Sequence, residues 1–310
     1  MLDSNKVVHG LWIGTTLSQL EILTLRSFIA CGHTFWLWAY EAIETALPEG
    51  TILKDARTIL PEHTIFRYEG GNQFGHGKGS LAGFSDIFRY KLLCEYGGWW
   101  TDMDVTCLCP LDFESPYLFR SHDVFPIVGN VMKCPKGSDL MRDCFEIAQA
   151  TVTADNTDWL KPIRILNDGI RKYNLSNFIQ PISNSDRWEI VNFYFTYPAK
   201  PKPNFYVFHW MNEEWRTRGI DKSSCVKYSF LDQLMLKYQI EIARSLPPPK
   251  LRYVFKLAKM QLLPLIPRPI RLVLKFLWTY LNAAFRNLSA WILPLFPRSW
   301  KDAVKKVMFN

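Results

Sequence analysis

The stretch SDIFRYKLLCEYGGWWTDMDV, residues 85–105, runs an apolar helical pattern into a double glycine and then into bulky residues that carry two carboxylates. Ser85 or the residue before it is placed to cap a helix, with Ile87, Tyr90 and Cys94 along one side and Gly97 as the terminating residue. Asp86 and Arg89 stand three apart and share a face of the first turn. The following WWTDMDVTCLC, residues 99–109, reads as a strand by its aromatic and β-branched content. Strand alternation would send Asp102 and Asp104 to one side and Met103 to the other. Two like charges about 7 Å apart or less at the edge of an apolar sheet repel and are poorly hydrated, which raises their pKa values unless a cation sits between them. Hard oxygen ligands suit Mg²⁺ or Mn²⁺, which accept one or two carboxylates and take their remaining ligands from water and substrate phosphates. The pair therefore points to a substrate that bears a diphosphate.

Working outward, KVVHGLWIG (6–14) reads as a buried strand, Ser18–Ala30 has the apolar spacing of a helix, and HTFWLWAYE (33–41) reads as a second strand. Strand, helix, strand is the opening of an α/β domain with a mostly parallel sheet. The glycine-rich EGGNQFGHGKGSLAG (69–83) is not a phosphate loop, because Gly79 rather than Ser or Thr follows Lys78. Downstream, IVGNVMKCP (127–135) reads as a strand, SDLMRDCFEIAQA (138–150) and WLKPIRILNDGIRKY (159–173) as helices, and FYVFHW (205–210) as a last strand. The prolines of LPPP (246–249) mark a boundary.

Charge divides at the same place. Of 37 Lys and Arg and 29 Asp and Glu, twelve bases and one acid, Asp302, lie from Leu246 onward, leaving twenty-five bases against twenty-eight acids before it. A mildly acidic body with a basic tail is not the pattern of a nucleic-acid binder, and no zinc-finger or RNA-recognition signature is present. Seven scattered cysteines, Cys107 and Cys109 among them, lack the paired spacing of a zinc site and read as reduced thiols. The first residues show no basic-then-apolar signal pattern, and no eighteen uncharged apolar residues run together, so a cytoplasmic protein that does not span a membrane is expected. The tail, 246–310, interleaves Arg271, Lys275 and Arg286 with Leu, Phe, Trp and Tyr. That pattern suits amphipathic helices lying peripherally on an anionic membrane surface.

The block from Ser85 to Val105 resembles the signature of family 32 glycosyltransferases, a group that includes capsule and surface-polysaccharide transferases and fungal mannosyltransferases and is related to clostridial toxin catalytic domains. Looser similarity runs over about residues 6–220, through LWIG, VGNVMKCPKGS and HWMNEEW. The resemblance implies a GT-A domain over residues 1–245 that binds a nucleotide-sugar above the carboxyl ends of its strands. It implies donor binding by Trp12, Asp86, Arg89, Asp102 and His209. Asp104 would ligate Mn²⁺ or Mg²⁺ directly, with Asp102 and His209 completing the site, and Asp102, Asp104 and Arg89 would be the catalytic set. The reaction implied is retaining transfer of a hexose to a glycan or lipid-linked acceptor. Trp210 and Trp215 are candidate walls of the donor pocket, and Asn130 and Asp168 are weaker polar candidates. Trp99, Trp100 and Met103 depart from the family's usual residues and are expected to reshape the sugar pocket, which leaves the donor sugar open. A catalytically degenerate membrane-associated scaffold is the alternative reading, and a phosphohydrolase using Asp102 as nucleophile is disfavoured by the glycine turn and helix before the strand.

Overall fold

In the computed structural model, residues 1–183 and 185–248 are described, and the basic tail expected to form amphipathic helices lies almost wholly outside them. The first unit, Met1–Pro248, begins with a short turn of helix, α1 (Asp3–Lys6), then β1 (Val7–Trp12), α2 (Gln19–Ala30), β2 (Thr34–Ala39) and β3 (Thr51–Asp55). After the glycine-rich loop come α3 (Ala82–Tyr96), β4 (Gly98–Thr101), β5 (Val105–Cys107), β6 (Leu118–Arg120) and β7 (Val128–Cys134). The rest comprises α4 (Asp139–Thr151), α5 (Lys161–Lys172), β8 (Ile179–Gln180), α6 (Trp188–Thr196), β9 (Val207–His209), α7 (Asn212–Thr217), β10 (Ser224–Val226), α8 (Phe230–Lys237) and β11 (Arg244–Leu246).

Seven strands form one sheet in the order β3-β2-β1-β4-β7-β6-β8. All point the same way except β7, which runs antiparallel to β4 and to β6. The expected α/β class with a mostly parallel sheet is thus what the chain adopts. Its inner strands are apolar on both faces because helices cover both: Val8, Phe35, Leu37 and Trp99 pack on one side, and Trp38, Trp100, Phe119 and Met132 on the other. The sequence order reverses at β1, whose neighbours are β2 on one side and β4 on the other. In open sheets of this kind the crevice outside the carboxyl ends at such a reversal is where ligands bind. Trp12 closes β1 there, and Asp102 follows β4.

The helix before the aspartates is stopped as its sequence dictates. Gly97 sits at φ 67, and a Cβ there would lie 2.4 Å from Lys136 N, so no other residue fits the turn into β4. Its start differs from expectation: α3 begins at Ala82 with Leu81 at the cap position and no side-chain cap, so Ser85 is one turn inside. Helix α2 has the cap the other lacks. Ser18 accepts from Leu20 N while Glu21 accepts from Ser18 N at 2.7 Å, a reciprocal capping box.

WWTDMDVTCLC is not one strand. It divides into β4 in the main sheet and β5 in a separate two-strand ladder with β9, with Asp102–Asp104 in the turn between them. Met103 drives the break. Its side chain is buried against Gly10 and its carbonyl accepts from Thr24 Oγ1 at 2.9 Å, which pulls the chain inward off the sheet. FYVFHW likewise contributes β9 to this ladder rather than to the main sheet. Trp99 and Trp100 are both fully buried on opposite faces of β4, and Trp99 Nε1 donates to Asn5. Trp99 therefore belongs to the core and does not shape a sugar pocket, whereas Trp100 reaches Asp102.

Candidate active site

The turn after β4 and the end of β9 meet because β5 and β9 pair antiparallel with Val105 opposite His209. Trp210 N donates to the Asp104 carbonyl at 2.8 Å and extends that ladder by one bond. Met211 then takes the left-handed conformation at φ 58, uncommon for a residue with a side chain, and the next N–H, that of Asn212, donates to Asp104 Oδ2 at 2.6 Å. His209 Nε2 lies 3.3 Å from the same oxygen. The result is a cluster in which Asp102, Asp104 and His209 each offer a ligand atom, all within 4.8 Å of one another. Alternation along a strand, the reason first given for the two carboxylates facing together, is replaced by a turn held from behind by Met103 and from the side by Trp210 and Asn212.

Asp102 is fixed from the other side. Its Oδ1 accepts from Arg89 Nη2 at 2.9 Å and from Trp100 Nε1 at 2.8 Å, and its N–H donates to the Asn130 carbonyl. Arg89 is buried, with Nη1 paired to Asp86 at 2.9 Å and its guanidinium 5.1 Å from the Trp100 ring. A Cβ on Gly129 would come 2.2 Å from Nη1, so the glycine of VGNVMKC is what lets the arginine lie against β7. Both terminal nitrogens of Arg89 are thus occupied by carboxylates. Oδ2 of Asp102 and Oδ1 of Asp104 accept no hydrogen bond from the described residues and are the oxygens available to a ligand.

Electrostatics separate the carboxyls. Burial pushes Asp86 up to about 6, against the pull of Arg89. Burial also raises Asp102, with Arg89 opposing and Asp104 adding to the rise. For Asp104 burial acts upward too, but His209, the Asn212 N–H and Lys222 outweigh it and the net shift is downward. Asp104 is therefore the carboxyl held ionised. Two carboxylate oxygens and one imidazole nitrogen make a donor set that Mn²⁺ or Mg²⁺ fits, with positions left for water and phosphate. A second group, His122, Asp123 and Asp186, has the same spacing. Its carboxylates are already committed to arginines, Asp186 to Arg120 and Asp123 to Arg187, whereas Asp104 pairs with no arginine or lysine among the described residues.

The other candidates fall as follows. Trp12 is half-buried at the carboxyl end of β1, its Nε1 donating to Thr16 O and its ring 5.7 Å from the Lys222 ammonium. Trp210 and Trp215 are fully buried and hydrogen-bonded behind β9, Trp210 to Thr106 and Trp215 to the Trp210 carbonyl, so they support the site from within the core rather than line it. Asn130 joins the site through its carbonyl and also accepts from Arg120. Asp168 does not: it is exposed on α5 beside Arg171. Sequence reasoning missed Asn212, Glu21, Lys222 and Gly129. Ser18-x-x-Glu21 carried a readable capping signal, but nothing in the sequence relates Lys222 to it from two hundred residues away.

A family model described as "Capsular polysaccharide synthesis protein" matches residues 59–135, less than half of the chain but the part holding α3, both aspartates and β7. No curated protein matches. Among solved structures the chain is similar to the PaToxG glycosyltransferase, at 12% identity over 55% of this chain and 68% of that one with a TM-score of 0.41. It is also similar to a transferase double mutant (11%, 67% and 95%, 0.39) and to the apo form of the glycosyltransferase GlyE from Streptococcus pneumoniae TIGR4 (10%, 80% and 66%, 0.38). All three TM-scores lie below 0.5, so the site's own geometry carries the functional reading.

Proposed function

We propose that this chain is a metal-dependent, retaining glycosyltransferase of the GT-A type that moves a hexose from a nucleotide-sugar to a glycan or lipid-linked acceptor in surface polysaccharide or glycolipid synthesis. The observation that carries the reading is the convergence of Asp102, Asp104 and His209 at the carboxyl ends of β1 and β4, where the strand order reverses. The capsular polysaccharide match over the same segment supports it, as does the family 32 resemblance of residues 85–105.

Asp104, Asp102 and His209 would hold Mn²⁺ or Mg²⁺, which when bound supplies positive charge to the departing diphosphate. Arg89 and Trp100 hold Oδ1 of Asp102, so its second oxygen is the one presented to metal or donor sugar. Asp86 keeps Arg89 in place for that task. Because both its terminal nitrogens are so engaged, Arg89 acts in this scheme through Asp102 rather than directly on the diphosphate. Trp12 stands at the mouth of the crevice as a surface for the nucleobase. With retention, the acceptor hydroxyl attacks from the face the diphosphate leaves, and its proton passes to the departing phosphate oxygen. The expected outcome for Asp104→Asn is loss of both transfer and donor hydrolysis with an unchanged circular dichroism spectrum. A fully active variant would overturn the proposal.

No helix among the described residues is long and apolar enough to cross a membrane. The tail from 246 onward is proposed to bind an anionic membrane face through its twelve bases, each contributing roughly 1 kcal/mol near the surface. Residues 244–246 form β11, paired with β10, so the informative truncation is after Pro248. That protein is expected to stay in the supernatant when anionic liposomes are sedimented, and sedimentation equal to the full chain would refute the membrane role.

A further inference from the structure

Glu21 has no exposed side-chain surface, yet it carries a charge next to the site. Its Oε2 accepts from Ser18 N and completes the cap of α2. Its Oε1 accepts from Lys222 Nζ at 2.8 Å and from Asn212 Nδ2 at 3.4 Å, and Asn212 in turn binds Asp104 through its backbone. Lys222 is a quarter exposed, lies over the face of Trp12 and acts electrostatically on Asp104. It therefore stands between the aromatic ring at the end of β1 and the Asp102–Asp104–His209 cluster.

A donor diphosphate placed across that gap brings two or more negative charges against carboxylates already present. Arg89 does not offset them, because its single positive charge already faces two carboxylates, Asp86 and Asp102, and Trp100 covers its plane. A lysine is a flexible point charge on a four-carbon stem, able to exchange one anion for another without moving backbone. The Ser18 and Asn212 donors stay on the oxygens of Glu21 when Lys222 leaves, and the gain from pairing the multiply charged diphosphate must exceed the cost of unpairing that buried carboxylate.

We infer that Lys222 is a donor-binding residue that leaves Glu21 to pair with the diphosphate of the nucleotide-sugar, and that Glu21 is the positioning residue that holds it over Trp12 until then. This rests on the glycosyltransferase reading and adds a cation to its site. It also has a consequence for the base. The Trp12 face that Lys222 covers becomes free to stack only when the lysine has moved, so base and diphosphate bind together.

The test is calorimetric binding of a panel of nucleoside diphosphates, and of the corresponding nucleosides, to the full chain with Mn²⁺. Lys222→Ala is expected to strengthen nucleoside binding, because the Trp12 face is no longer covered, and to weaken diphosphate binding about ten- to a hundredfold, as losing one charge-assisted contact does. Lys222→Arg should recover most of it. Glu21→Gln keeps a side chain able to complete the capping box but removes the competing charge, so diphosphate binding should tighten. Diphosphate affinity unchanged in Lys222→Ala, in a variant whose melting temperature matches the parent, overturns the inference and leaves the glycosyltransferase reading standing. Weaker diphosphate binding in Glu21→Gln overturns the exchange between the two anions. If no nucleoside diphosphate binds the parent protein, both the inference and the reading beneath it fall.

Discussion

The two ends of β1 and β4 are built from the same strands and treat ionisable groups in opposite ways. Toward the amino ends, His9 is buried among Trp36, Trp38 and Tyr96. The Trp38 indole donates to its Nδ1 at 3.2 Å, and since an indole only donates, the proton of the neutral ring sits on Nε2 and goes to the Gly97 carbonyl at 3.1 Å. Every polar atom of the ring is used, and burial lowers its pKa to about 4. At the carboxyl ends, three aspartates share one buried arginine and one histidine, and Oδ2 of Asp102 and Oδ1 of Asp104 accept no hydrogen bond from the described residues. The same strands thus carry a satisfied neutral group at one end and an excess of negative charge at the other.

Removing the cation that restrains that excess is the severest way to break the contrast. Arg89→Ala leaves Asp86 and Asp102 buried without their partner and should cost about 3–5 kcal/mol of unfolding free energy, read from the urea midpoint. The loss should shrink at pH 5, where Asp86 takes up a proton.

The next comparison uses pH, because the two ends titrate in opposite senses. His9 has its pKa lowered by burial from 6.5 to about 4, so the unfolded chain takes the proton first, and stability falls as pH drops from 6.5 to 4, by about 3 kcal/mol in all. Asp86 has its pKa raised from 3.8 to about 6, so the folded chain takes the proton first, and stability rises over that interval by a comparable amount, again about 3 kcal/mol. His9→Gln should therefore unmask a gain of stability on acidification, and Asp86→Asn a loss, both measured as unfolding midpoints between pH 7 and 4. Identical slopes in the two variants would show that neither group controls the acid limb.

Much of this was legible in the chain. β1, α2, β2, β7, α4, α5 and the end of α3 at Gly97 follow from apolar periodicity and from caps, which are local properties. The paired aspartates were legible as a charge anomaly in an apolar run, and His209 through its resemblance. β3, β6 and β8 were not: each is short, and its register is set by neighbours far along the chain. The division of WWTDMDVTCLC was hidden for the same reason. Nothing in the residues 99–109 says that Thr24 will donate to the Met103 carbonyl or that Val207–His209 will pair with Val105–Cys107.

The α/β class, the helix–glycine–strand unit and the identity of the charged residues are legible along the chain, because backbone propensity, side-chain period and charge are written residue by residue. Tertiary packing set which of those charges face one another. It placed His209 and Asn212 on Asp104, set Arg89 on Asp102, turned Trp99 into core, and brought Lys222 to a glutamate two hundred positions earlier. Contacts of that span are selected by the joint burial of whole elements, a cooperative outcome that no window of neighbouring residues encodes.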